Sequence, residues 1–179
     1  MKLLIQLARL VVVLGLATWS RAQATSAASR LVSIKIGAGW TIANPDYGQR
    51  KVQGLTIYGN LDFTRHWGIE GDIHRASMVT PTDIGVDSYL LGPRYAFHYG
   101  RFSPYAKVLL GVGRFKYIFS NAPTATYTYK IYSLGGGLDY QATKHFSVRA
   151  FDFEYQKWPG YNSNGLTPLD YTFGAAYVF

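Results

Sequence analysis

From residue 31 onward, apolar and polar side chains alternate at every second position in segments of roughly ten residues, separated by turns that are alternately short and long. Strict alternation places successive side chains on opposite faces of a strand. About ten residues, tilted, is also the length with which a strand crosses the hydrocarbon of a bilayer. The segments fall at 31–42, 53–63, 67–76, 87–97, 104–117, 127–140, 146–156 and 168–179. The expectation is an all-β fold, an eight-stranded antiparallel up-and-down transmembrane β-barrel.

The connections 64–66, 98–101 and 141–145 are tight, whereas 43–52, 77–86, 118–126 and 157–167 are longer and rich in Pro, Asn, Gly and Thr. In an even-stranded barrel with both termini inside the cell envelope, the short turns belong to the periplasm and the long loops to the exterior. Residues 1–24 read as an export signal: Lys2 and Arg9 precede or flank the apolar run Leu10 to Trp19, and Ala22-Gln23-Ala24 offers a small-x-small cleavage site. That run is too short for a spanning helix. Removing Lys2, Arg9 and Arg21 with the segment lowers the formal charge from +8 to +5, only moderately basic. With no cysteine, disulfides and thiolate chemistry are excluded.

The phase of each segment sorts its side chains. In the closing segment Leu169, Tyr171, Phe173, Ala175, Tyr177 and Phe179 share one face, and Asp170, Thr172, Gly174 and Ala176 the other. Ile34, Ile36, Trp40, Leu55, Ile57, Trp67, Ile69 and Ile73 likewise fall on the lipid side. A basic side chain facing lipid at mid-bilayer costs about 2–4 kcal/mol, so charges within strands should point inward. Seven of the ten acidic residues do so by phase: Asp62, Glu70, Asp72, Asp139, Asp152, Glu154 and Asp170, matched by Lys35, Arg94, Lys107 and Arg149. Arg149 and the pair Asp152 and Glu154 have opposite parity, which a β-bulge near Ala150 and Phe151 would reconcile.

The chain ends Tyr177-Val178-Phe179, and its alternating aromatic positions Phe173, Tyr177 and Phe179 resemble the C-terminal signal read by the barrel-insertion machinery of bacterial outer membranes. Together with Gly92-Pro93-Arg94-Tyr95 and Gly135-Gly136-Gly137-Leu138-Asp139-Tyr140, residues 31–179 resemble the small barrel family typified by the membrane domain of outer membrane protein A. The resemblance implies an outer-membrane location; a monomer is expected. No peptidoglycan-binding domain follows Phe179 as in the longest members, so no cell-wall tether is expected.

An eight-stranded barrel is just wide enough for side chains to fill, so the interior charges are expected to form a paired plug. The alternative is a narrow porin-like conduit for water, ions or small solutes gated by Arg94, with Gly37, Gly39, Gly92, Gly135 and Gly137 either leaving space or accommodating bulky neighbours. Glu70, Asp72 and His74 share one face at two-residue spacing, which suits an interior network better than acid/base catalysis. Some barrels resembling this one edit lipopolysaccharide acyl chains with an outward Ser and His, but His66 and His145 fall in short turns and no such pair is visible. No enzyme, cofactor or metal is expected, His74 lying far from the other histidines. Arg75, Arg114, Lys116 and Lys130 project outward near the external ends of their strands, where lipopolysaccharide carries phosphate. Membrane lipid, lipopolysaccharide and an extracellular partner held by loop residues such as Tyr47, Gln49, Arg50, Tyr161 and Asn162 are the expected contacts. Basic charge divided among rim, loops and lumen is no nucleic-acid footprint.

Overall fold

The computed structural model describes residues 32–46, 51–76, 78–79, 84–117 and 125–179; the export segment 1–24 and Tyr47, Gln49 and Arg50 lie outside them. Eight strands follow in order: β1 Ser33–Asn44, β2 Val52–Asp62, β3 Trp67–Arg75, β4 Ile84–Ala96, β5 Phe102–Tyr117, β6 Ala125–Gln141, β7 Phe146–Lys157 and β8 Leu169–Val178. Each pairs antiparallel with its sequence neighbour and β8 returns to β1, closing the sheet into a barrel. Closure leaves no strand edge, and this matters in lipid, where an unpaired backbone group has no water to bond.

The alternation translates directly into burial. In β1, Lys35, Gly37, Gly39 and Thr41 are buried, while Ile36 and Trp40 are exposed on the outside. Leu91, Leu110 and Leu134 are more than half exposed on the outer wall, a costly surface in water and a favourable one in hydrocarbon. β7 changes phase where expected: Arg149 is buried, Ala150 and Phe151 are both exposed, and Asp152 is buried again. The register against β8 shifts between Arg149 and Asp152. The single extra residue lets a base and two acids of opposite parity share the interior. β4 begins at Ile84, earlier than alternation with polar inward residues suggests, because its inward residue there is the apolar Val86, buried opposite Phe115.

Two short connections use the same device. Thr64 Oγ1 accepts the Trp67 amide at 2.8 Å, and Thr143 Oγ1 accepts the His145 amide at 3.3 Å. In each turn a histidine then stacks on a tyrosine of the wall, His66 on Tyr95 and His145 on Tyr177. The third turn is a hairpin closed by Tyr99 and Phe102, with Gly100 at φ 61°, the conformation a type II′ turn reserves for glycine. Trp67, Tyr95, Phe97, Phe102, Tyr140 and Tyr177 surround this end with edge-on ring contacts as close as 4.8 Å. Amphipathic rings of this kind suit the membrane–water boundary.

At the long-loop end, Asp46, itself at φ 62°, accepts the Thr167 amide at 2.9 Å and its hydroxyl at 2.6 Å, tying the first long loop to the last. Those two hydrogen bonds hold the Asp46 carboxyl below its ordinary 3.8. A depressed acid stabilises above its unfolded pKa and loses that contribution as the pH falls through the folded one. The tie is therefore fully in place above about pH 4 and dissolves only below Asp46's own lowered value. Asp46→Ala should accelerate hydrogen exchange at the Thr167 amide several-fold at neutral pH, as read by NMR in detergent, with strand amides unchanged.

Candidate functional site

The interior is built from one face of every strand. Glu70, Asp72 and His74 descend β3 at alternate positions; Arg149, Asp152, Glu154 and Gln156 line β7; Arg94, Lys107, Asp139 and Asp170 come from β4, β5, β6 and β8. Glu70 is the hub and has no solvent exposure. Arg149 grips it with two parallel bonds of 3.0 Å, Lys107 donates to it at 2.9 Å, and Arg94 Nε lies 3.0 Å away. Asn60 adds an amide donor. Bidentate guanidinium–carboxylate geometry is the strongest form of such a contact.

From the hub the network runs both ways. Towards the short turns, Arg94 donates to Asp139 at 2.7 Å and faces Asp62 at 3.6 Å, and Asp62 meets Lys35 at 3.4 Å. Towards the long loops, Lys107 gathers Asp72 at 2.7 Å, Asp152 at 2.6 Å and Glu154 at 3.2 Å. Gln156 then donates to Glu154 and Asp170, each at 2.8 Å, and accepts the Trp158 indole N–H at 3.0 Å. All eleven charged residues singled out by phase thus lie in one lumen, linked by ion pairs or hydrogen bonds.

Two inward-facing tyrosines complete it. Arg149 lies 3.7 Å over the Tyr58 ring and Arg94 lies 4.0 Å over Tyr105, so ring faces supply attraction where carboxylates do not. Two interior glycines stand against these rings. A β-carbon at Gly37 would stand 2.5 Å from the Tyr58 ring, and one at Gly137 2.8 Å from the Tyr105 hydroxyl. Gly37 and Gly137 make room for bulky partners.

Nearer the long loops the lumen also holds an apolar cluster, which the polar-inward reading missed. Trp158, Phe115 and Leu109 are wholly buried, packed with Val86, Leu90, Ile131 and Leu166. Tyr129 and Tyr161 lie against the same cluster, with the Tyr161 ring 5.0 Å from Phe115, so Tyr161 is part of the lid rather than a free loop side chain. Gly113 is required beneath it, since a β-carbon there would enter the Trp158 ring. Between charged plug and lid, the cavity bordered by His74, Ser88, Gln156, Trp158 and Asp170 measures about 10 Å³, space for about one water.

On the outer wall at the long-loop end, Arg75, Asp87 and Arg114 are direct partners across β3, β4 and β5. Lys116 donates to Asp87 at 2.6 Å, so it is not a free base, while Arg114 lies over Tyr89. Lys130 is exposed nearby on β6. Below Arg75 runs a wall groove of about 670 Å³ lined by Ala38, Trp40, Leu55, Ile57, Ile73 and Met78. Phe173, Tyr177 and Phe179 all face outward, and the Phe179 amide donates to Ile34 O at 3.0 Å. Among the described residues, the wall carries no outward Ser beside an outward His.

Residues 10–179 match the family model of the outer membrane protein beta-barrel domain. The chain belongs to that family. It is accordingly an outer-membrane β-barrel of the kind made by Gram-negative bacteria. Among solved structures, Neisserial surface protein A is similar over 83% of this chain and 97% of its own, at 14% identity and a TM-score of 0.65. OprG from Pseudomonas aeruginosa is similar over 82% and 95%, at 17% identity and 0.63. The Yersinia pestis attachment invasion locus protein Ail, solved with the heparin analogue sucrose octasulfate, is similar over 83% and 97%, at 20% identity and 0.53. At these identities the likeness is one of fold. Comparison with curated proteins returns no match.

Removing one partner from a buried ion network strands the others, a loss of about 3–5 kcal/mol. Glu70→Ala should therefore lower the urea midpoint of the folded, heat-modifiable gel band substantially, whereas Lys35→Ala, at the network's wetter end, should change it far less.

Proposed function

We propose that this barrel is closed and non-conducting, serves a structural or surface-contact role, and has no catalytic activity. The observation that supports this is the filling of the lumen along its length. Ion pairs fill the lumen from the short turns past its middle, the Trp158–Phe115 cluster caps the end nearer the long loops, and the cavity beside His74 and Trp158 has room for about one water. In this reading the short turns and both mature termini, after loss of residues 1–24, face the periplasm. The long loops face the cell exterior and carry any specific contact. That Ail shares the fold makes surface contact a natural use for it.

The basic rim favours an anionic lipid as partner. Arg75, Arg114 and Lys130, with Lys116 held by Asp87, meet the phosphates of lipopolysaccharide, and the groove below Arg75 receives acyl chain. Phe173, Tyr177 and Phe179 form the signal by which insertion machinery recognises the chain.

Single-channel recording of the refolded protein in a planar bilayer tests closure. A folded barrel should be electrically silent, and Trp158→Gly combined with Arg94→Ala should introduce small conductance steps. Reproducible steps from the unaltered protein, changed in selectivity by Arg94→Ala alone, would instead establish a narrow channel. For the rim, replacing both Arg114 and Lys116 with Gln should at least halve the lipopolysaccharide that co-purifies; an unchanged amount would reject that site.

A further inference from the structure

The buried charges do not balance. Seven carboxylates face the lumen, against Lys35, Arg94, Lys107 and Arg149. Asp62, Glu70, Asp139 and Asp152 lie among these four bases, so the surplus collects at the far end of Lys107, where Asp72, Glu154 and Asp170 surround His74. Uncompensated charge in a dry interior is expensive, and one lysine shared among four carboxylates does not remove the excess.

The geometry around His74 supplies an answer. Its Nδ1 lies 2.7 Å from Thr56 Oγ1, and Thr56 is itself fixed by Thr41, which bonds Thr172 at 2.9 Å. An N–H at Nδ1 donating to Thr56 leaves the lone pair on Nε2. With the ring neutral, that buried atom has no donor and faces Glu154 Oε1 at 3.5 Å; with the ring protonated the two form an ion pair. Asp72 Oδ1, also buried, has no hydrogen-bond partner. One ligand atom each from Asp72, His74 and Glu154 fall within 4.8 Å of one another. The void of about 10 Å³ lies beside His74.

We propose that Asp72, His74 and Glu154 form a binding site for one divalent first-row transition ion, with Zn²⁺ as the natural occupant. An imidazole nitrogen and two carboxylates are an accepted donor set for such ions at about 2.0–2.2 Å. In tetrahedral coordination, ligand atoms then stand roughly 3.3–3.5 Å apart, the present His74–Glu154 separation. The Thr56 contact orients the ring as outer partners of metal-bound histidines do. Two positive charges offset most of the surplus carboxylates. Single-residue inspection rejects His74 because the other histidines are remote; its partners are instead acids from its own strand and from β7.

Because the site lies beneath the Trp158 lid, the ion is trapped as the barrel closes and resists chelators until unfolding. The full chain is refolded from urea into detergent with Zn²⁺ or Co²⁺, treated with EDTA, desalted and assayed for metal per folded barrel. One retained ion is expected, with visible Co²⁺ absorption of a nitrogen- and oxygen-ligated site, and with release on heating to the unfolded gel form. His74→Gln should weaken retention by 10-fold or more, and Asp72→Asn, nearly isosteric, provides the same test should the histidine variant fail to fold. A folded barrel that retains no metal overturns the site, as does retention unchanged in a folded variant; in either case protons alone neutralise the surplus.

Discussion

Eight strands enclose a space that side chains must fill, and a closed sheet in lipid gives an inward-pointing group no recourse except another inward-pointing group. Glu70 is where that constraint is met. Three cations converge on one carboxylate with no solvent exposure, and each of those cations reaches on to a further acid. The network therefore acts as a unit. Its members come from all eight strands, and the positions of Tyr58 and Tyr105 over the guanidinium groups follow from the same crowding.

The lumen has two storeys with different physics. Around Glu70, stability depends on mutual pairing of groups that are costly singly. Around Trp158 it depends on apolar burial and ring packing, with Phe115 and Trp158 meeting edge-on at 5.1 Å. Gln156 joins the two, binding Glu154 and Asp170 with its amide nitrogen and the Trp158 indole with its oxygen. The wall outside is indifferent to this division and stays apolar up to the charged rim at the long-loop end.

Much of this was legible because a period of two leaves little freedom. Once Ile36 and Trp40 are assigned to lipid, Lys35 and Thr41 must face inward, and the parity conflict between Arg149 and Asp152 announces the bulge. What alternation does not carry is stagger, the offset between strands that decides which inward residues stand level. Hence the charges were identifiable but the meeting of Glu70 with Arg149, or of His74 with Glu154, was not. The lid was hidden for another reason. Leu109 sits inside the unbroken run Val108-Leu109-Leu110 and Trp158 beside Pro159 and Gly160, so neither shows a phase, and Asp87 was taken for the edge of a strand that begins at Ile84.

The contact between Arg149 and Glu70 joins residues 79 positions apart in the chain, and Lys107 reaches Asp72 and Asp152 over 35 and 45. No hairpin can make these contacts on its own. While the chain is still open, every one of these groups remains hydrated, and an unfolded chain bearing these eleven charges stays tolerable to water despite its aromatic wall. The same charges that lock the finished barrel therefore keep the unfinished one dispersed, and they change from solvating the chain to cementing it in the single event of closure.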